Sequence, residues 1–285
     1  MRFCVVIATR DRPQLLDSCL AGVTGALRAG DEVVVSDSAS RDAAAVRAVA
    51  AKHGARLVRV ELPGVARARN AGWRAATADW VAFTDDDCVP TAGWLTGLDP
   101  GAESFLWGPV TTDRSGTGGA PELGVDGITE ARLGVDVGLL GHGANFAVRR
   151  SDLERIGGFD EMLGTGTPLR AAEDKDLQLR LLAAGGFGRL ATSATIQHDA
   201  WRGRKESLML QHSYAIGMGA LGSKARRMGL AFPDGLVRTH ASDLLDAIRH
   251  GYLTGIAGAV LRMAGVVRGR RAVRGLSVVD GHLQD

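Results

Sequence analysis

The first hundred residues alternate two hydrophobic periods. Apolar runs stand at Arg2–Ala8 (RFCVVIA), Glu32–Ser36 (EVVVS) and Trp80–Thr84 (WVAFT), and Arg56–Leu62 alternates. Short runs of this kind, bounded by turn residues, predict β-strands. Helical patterns lie between them. One opens at Pro13, a residue favoured in a first helical turn, and runs to about Arg28. The Ala-rich stretch Arg41–His53 is stopped by Gly54, and Gly64–Thr77 (GVARARNAGWRAAT) is the third. Strand and helix in alternation, with fully apolar strands, predict an α/β fold with a mostly parallel sheet covered on both faces. Such sheets bind ligands at the C-terminal ends of their strands. Polar groups gather there: Thr9-Arg10-Asp11 after the first strand, Asp37 after the second and Asp85-Asp86-Asp87 after the fourth.

The rest of the chain is less regular. Strands are expected at Ser104–Thr112, Gly143–Arg149 and Arg189–Gln197, and loops at Asp113–Pro121 and Leu163–Arg170. A short helix is expected from Ser151, and a longer one over Ala172–Ala184, ended by Gly185-Gly186. Beyond about residue 200 the pattern is helical, over Ser207–Met228 and Ser242–Val267. In the latter, Leu245, Ile248, Tyr252, Ile256, Val260, Met263 and Val267 form one stripe. The expected organisation is a domain over 1–200 and a helical extension over 201–285.

Composition narrows the class. The chain of 285 residues is 45% hydrophobic and 23% charged, which excludes a disordered or fibrous protein. Aromatic residues are only 5%, too few for base-stacking platforms, and the net charge of +2 argues against nucleic acid as a partner. The charge is uneven. Residues 200–274 hold 13 Lys and Arg against 4 Asp and Glu. An acidic front and a basic back suit different partners, a metal for the first and an anion or membrane surface for the second. Cys4, Cys19 and Cys88 are odd in number and form no C-x-x-C pair, which fits a reducing cytoplasm. The apolar stretch between His250 and Arg262 is 11 residues long, against the roughly 20 that a membrane span needs.

The Asp triplet carries the strongest chemistry. Like charges directly after a buried strand are costly unless a cation pairs them. Their hard oxygens suit Mg2+ or Mn2+. Asp37 stands where dinucleotide-binding folds place a ribose-holding acid. The partner glycine loop is missing, however: Ala8-Thr9-Arg10-Asp11-Arg12-Pro13 follows the first strand, and there is no phosphate-binding Gly-rich loop elsewhere. A mononucleotide held without either loop is the resulting expectation.

Taken in order, the segments VVIATRDRPQLLDSCL, VVVSDSASRD, GVARARNAGWRAATADWVAFTDDDCVP and GANFAVRRSDLERIGGFDE followed by AAEDKDLQLRLLAAG are similar to glycosyltransferase family 2. These are inverting enzymes of the GT-A fold, and the resemblance covers about residues 1–220. It implies a Rossmann-like sheet flanked by helices, with Thr9, Arg10 and Asp37 binding the nucleoside of a sugar nucleotide. Arg69 and Asn70 would hold the nucleotide or its diphosphate. Asp85 and Asp87 match the outer acids of a D-x-D motif, the first near ribose or sugar and the last on the metal. Asp86 between them counts with the donor site. Asp174 matches the general base, and His198 a position that is sometimes a further metal ligand.

The implied activity moves a sugar from a UDP, dTDP or GDP donor to an acceptor hydroxyl with the help of Mn2+ or Mg2+. A carboxylate takes the hydroxyl proton as attack proceeds, and at a helix N-terminus it tends to stay ionised. Where the family more often has Asn-Gly/Ser-Ser/Thr after its second-strand acid, this chain has Ser38-Ala39-Ser40, which leaves the base open. Two alternatives are a nucleotidyltransferase, which would normally show a Gly-rich basic loop after its first strand, and a non-catalytic sugar-nucleotide-binding relative.

Trp201 could stack on a sugar, and Arg202 and Arg204 could pair with a diphosphate or face solvent. The basic C-terminal helix, with Arg262, Arg268, Arg270, Arg271 and Arg274, has two readings. It could contact the inner face of a membrane peripherally, or pack its apolar stripe on the catalytic domain. The several glycines favour packing.

Overall fold

The computed structural model describes residues 1–112, 122–123, 127–198, 204–232 and 236–285. It divides into two compact units, Met1–Phe159 with Leu177–Ala200, and Asp160–Asp176 with Trp201–Asp285.

In the first unit β1 (Phe3–Thr9), α1 (Pro13–Ala26), β2 (Glu32–Ser38), α2 (Ala43–Lys52), β3 (Arg56–Val60), α3 (Val65–Ala75) and β4 (Trp80–Asp85) follow in the expected order. They continue into β5 (Cys88–Pro90), α4 (Trp94–Leu98), β6 (Phe105–Trp107), β7 (Val110–Thr112), β8 (Glu122–Leu123), β9 (Glu130–Ala131), β10 (Phe146–Arg149) and α5 (Arg150–Ile156). Then come α6 (Glu173–Ala183), which begins in the second unit, β11 (Gly188–Leu190) and β12 (Ile196–His198). An eight-stranded sheet has the order β3-β2-β1-β4-β10-β6-β11-β9. β3, β2, β1 and β4 are parallel, and β10 runs antiparallel between β4 and β6.

All of β1 and most of β2 and β4 are buried, as continuous apolar strands should be when both faces are covered. On one face Phe3, Val5 and Ile7 join Leu16, Leu20 and Val23 of α1 in a common core. On the other, α3 packs against β1, β2 and β3. Gly72 permits that approach: a Cβ there would lie 2.4 Å from Val6 Cγ1 and 2.6 Å from Ser36 Oγ. The cysteines are all buried in this unit. Burial pushes the Cys4 thiol up to about 12 and raises those of Cys19 and Cys88 as well.

Two expected strands are each split. Ser104–Thr112 is β6 and β7, which belong to different sheets. The break is Gly108-Pro109. Pro109 has no N–H to give a ladder, and a Cβ on Gly108 would meet Ala194 O at 2.2 Å. Arg189–Gln197 is likewise β11 and β12, separated by a turn in which Ala194 N donates to Ala191 O at 3.0 Å. The split creates a second sheet, β5-β12-β7-β8, in which His198 is paired with Cys88.

In the second unit α7 (Arg204–Arg227) and α8 (Leu236–Arg249) both pack on α9 (Leu253–Ala272). The chain ends in a hairpin of β13 (Ser277–Val279) and β14 (His282–Gln284). The helix expected over Ser242–Val267 is therefore two helices. Gly251 adopts φ +70°, with its N–H on Ile248 O and the Tyr252 N–H on Ala247 O, the paired bonds of a glycine C-cap. The α7–α9 contact needs glycine: a Cβ on Gly269 would lie 1.9 Å from Ile216 O, and one on Gly265 2.7 Å from His212 O. This contact turns the other side of α9 outward. Of the apolar stripe, Leu245, Ile248, Tyr252, Val260 and Val267 are exposed.

A buried ion cluster organises the second unit. Lys224 is fully buried, and its Nζ lies 2.6 Å from Asp160 Oδ2 and 2.5 Å from Asp176 Oδ1. Asp160 Oδ2 also accepts the Leu283 N–H at 2.8 Å, which ties in the terminal hairpin. Among the described residues no helix is long and apolar enough to cross a membrane.

Candidate active site

In the strand order β3-β2-β1-β4, the connections leave β1 in opposite directions, which opens a crevice at its C-terminal end. Register sets what lines it. Thr9 stands beside Asp37, Asp37 beside Arg59, and Ala8 beside Asp85. The three groups of polar residues expected at strand ends thus converge on one edge of one sheet.

The Asp triplet is held by two arginines. Arg69, 3% exposed on α3, donates from Nη2 to Asp85 Oδ1 at 2.8 Å. Arg12 straddles the other two acids, with Nη2 2.6 Å from Asp86 Oδ1, Nε 3.2 Å from Asp86 Oδ2 and Nη1 3.1 Å from Asp87 Oδ2. The Thr9 hydroxyl donates to Asp86 Oδ2 at 2.7 Å. Burial pushes Asp86 up to about 7, while Arg12 and Thr9 pull it back and its neighbours Asp87 and Asp85 add to the rise. Asp86 is fully buried and Asp85 is a third exposed. Asp86 therefore braces the turn, and Asp85 and Asp87 flank it.

His198 Nε2 lies 3.6 Å from Asp87 Oδ1. Ligand atoms of Asp87, Cys88 and His198 all fall within 4.8 Å of one another. Burial pushes the Cys88 thiol up, and its soft sulfur is a poor donor for a hard cation. A carboxylate with an imidazole remains, a pair that fits Mn2+ and accommodates Mg2+ less well.

The other expected residues fall as follows. Asp37 is buried, accepting Ser40 N at 2.9 Å on Oδ1 and the Arg59 guanidinium on Oδ2. Arg10 is half exposed, with Nε 3.8 Å from Asp11. Asn70 is turned toward the protein interior: its amide exchanges hydrogen bonds with the backbone of Phe159 and accepts Trp73 Nε1, each at 2.9 Å. Asp174 lies in the second unit, in the first turn of α6, with its Oδ1 accepting Lys175 N at 2.8 Å. Two non-glycine residues just before it, Arg170 and Ala172, have φ of +64° and +73°. Such backbone is costly, about 1–2 kcal/mol per residue, and tends to sit at functional positions. Trp201 and Arg202 lie outside the described residues, as does the side chain of Arg204.

Arg12 and Arg59 are not among the residues expected from sequence. Arg12 could have been found: a long cation directly before the Pro that opens α1 must stand at the same strand end as the triplet. Arg59 was legible only as an alternating residue of β3.

Residues 4–103 match the family described as glycosyl transferase family 2. The pre-mycofactocin glycosyltransferase of Mycobacterium tuberculosis is 27% identical over 241 residues, covering 78% of this chain. The match spans about half of that relative, 47% of its length. Among solved structures, the mannosyltransferase PcManGT from Pyrobaculum calidifontis, in complex with GDP-Man and Mn2+, aligns with a TM-score of 0.60 at 21% identity. It covers 93% of this chain and 75% of its own. S. aureus TarS 1-349 in complex with UDP-GlcNAc aligns with a TM-score of 0.54 at 16% identity, covering 99% of this chain and 96% of its own. The matched segment contains Asp37, Asp85, Asp86 and Asp87 with the arginines that brace them. Through it the chain is similar to glycosyl transferase family 2, and the fold is that of the GT-A glycosyltransferases.

Proposed function

We propose that the chain is a metal-dependent glycosyltransferase that moves a sugar from a nucleoside diphosphate to an acceptor hydroxyl, with inversion at the anomeric carbon. The observation that carries this reading is the braced triplet Asp85–Asp87 at the end of β4, beside the ends of β1 and β2 and 3.6 Å from His198. The sugar nucleotides in complex with two structural neighbours, GDP-Man and UDP-GlcNAc, support a nucleoside diphosphate donor.

Asp87 and His198 would hold Mn2+ or Mg2+, which supplies Lewis acidity to a leaving diphosphate. Asp37, with Thr9 beside it, would receive the nucleoside together with Arg10. Asp85, the most exposed of the three acids, would accept hydrogen bonds from ribose or sugar hydroxyls. Arg12 and Arg69 keep the carboxylates oriented before the donor arrives, so little reorganisation is left for the reaction. Asp174 would take the acceptor proton during attack, and the N-terminal end of α6 favours its ionised form. A single displacement with one such base inverts the carbon and needs no covalent enzyme intermediate. The reading assigns 1–200 to donor binding and catalysis and 201–285 to a helical extension. Three buried thiols suit a reducing compartment such as the cytoplasm.

The test is calorimetric titration of UDP, GDP and dTDP, each with Mn2+ and with EDTA, into the wild type and Asp87→Ala. One nucleotide should bind only with metal, and the variant should lose that binding by about 100-fold or more. Folded protein that binds no diphosphate nucleotide would overturn the reading.

A further inference from the structure

The outer face of α8 and α9 is a surface that the sugar-transfer reading does not use. On α9, Leu253, Val260 and Val267 recur every seven residues and are 80%, 47% and 39% exposed. The Gly265 and Gly269 contacts with α7 hold this side outward. At the α8–α9 turn, Leu245, Ile248 and Tyr252 add three more large exposed side chains. Large apolar side chains exposed in this number on two adjoining elements point to a partner.

Its surroundings name the partner. From Leu236 to Arg274 there are seven arginines and two aspartates. Arg262 is committed to Asp243 at 3.0 Å, and Arg249 stands 3.7 Å from Asp246. Arg268, Arg271 and Arg274 are exposed, and none of them is in an ion pair among the described residues. Arg268 and Arg271 border the same groove as Val260, Met263 and Val267. A second copy seated here two-fold would set arginine against arginine. An anionic bilayer offers both complements, an apolar layer at acyl depth and a negative surface potential.

We infer that the α8–α9 face docks on a bilayer bearing anionic headgroups. The tip residues Leu245, Ile248, Tyr252 and Leu253 enter the interface, and Arg268 and Arg271 contact the lipid phosphates. α9 lies on the surface without crossing, and the inference does not depend on what the first unit binds.

Vesicle co-sedimentation of the full chain tests it. Vesicles are phosphatidylcholine alone or with about 30% phosphatidylglycerol. The wild type should bind the anionic vesicles at least about tenfold more tightly than the neutral ones and release them as salt is raised. The double variant Arg268→Glu/Arg271→Glu should lose at least about tenfold, as should Ile248→Asp/Leu253→Asp, with circular dichroism unchanged. Absence of binding to anionic vesicles, or binding that ignores salt, overturns the proposal with the wild type alone. So does a dimer in sedimentation analysis that Ile248→Asp/Leu253→Asp abolishes, since the occupant is then a second copy. Donor titration is read separately, so failure of the docking and failure of the transferase reading are distinguishable.

Discussion

A carboxylate of the first unit can be held by donors both near and distant in the chain, and its protonation is then tied to folding. Asp31 is the clearest. It accepts the backbone N–H of Phe3 at 2.8 Å, that of Arg28 at 3.0 Å and the Arg28 Nε at 2.9 Å. Burial opposes its ionised form, but the Arg28 side chain and the two backbone donors outweigh burial and lower the carboxyl below its usual value. The folded state thus binds the proton less readily than the unfolded chain. The stabilisation is present above the unfolded pKa and is lost as pH falls through the folded one. Asp31→Asn should destabilise the protein by about 1–3 kcal/mol at neutral pH. Wild type and variant should converge in the acid limb of a series of melting curves. A constant difference across that limb would rule out ionisation as the cause.

Elements were legible where their signal is local. Each strand of β1 to β4 is a short apolar or alternating run between turn residues, and Pro13 opens α1 where it stands. The splits at Gly108-Pro109 and at Ala191–Ala194 depend on pairing partners remote in the chain, so an apolar run there reads as one strand. His198 reaches Asp87 only because β12 pairs with β5, a contact across 110 residues with no local trace. The terminal hairpin carries a local signal, Asp280-Gly281 with φ of +49° and +77° between apolar positions, that the helical reading of the tail passed over. Glycines in α9 read as a weakness in a helix but serve close packing. Gly269→Ala would put a methyl against Ile216 O, and should cost at least about 1–3 kcal/mol. Gly25 of α1 has nothing within 4 Å of its would-be Cβ, so Gly25→Ala should instead gain about 0.5–1 kcal/mol. Opposite shifts in thermal melting check the pair, and equal shifts would deny that packing is the reason.

For the whole molecule, the acid-rich front and basic back read from charge map onto different structural roles. The front supplies the strand-end carboxylates, and the back is arginine-rich helix with one lysine in its interior. Nothing in the pattern around Lys224 marks it as buried, because its two aspartates, Asp160 and Asp176, lie 64 and 48 positions away. Removing one member of such a cluster leaves charges buried without compensation. Lys224→Met should therefore cost about 3–5 kcal/mol and loosen the terminal hairpin, whose Leu283 N–H shares Asp160. Chemical denaturation together with amide exchange at Leu283 measures both, and a variant with unchanged exchange there would separate the hairpin from the cluster.

The burial of Cys4, Cys19 and Cys88 reaches beyond redox compartment. With thiols buried and raised by that burial, the native chain should be silent to maleimides and other thiol-directed reagents near neutral pH. One new cysteine at an exposed site such as Ser242 on α8 would then carry a fluorophore or spin label alone, with the natural cysteines left in place. The fold comes ready for single-site spectroscopy.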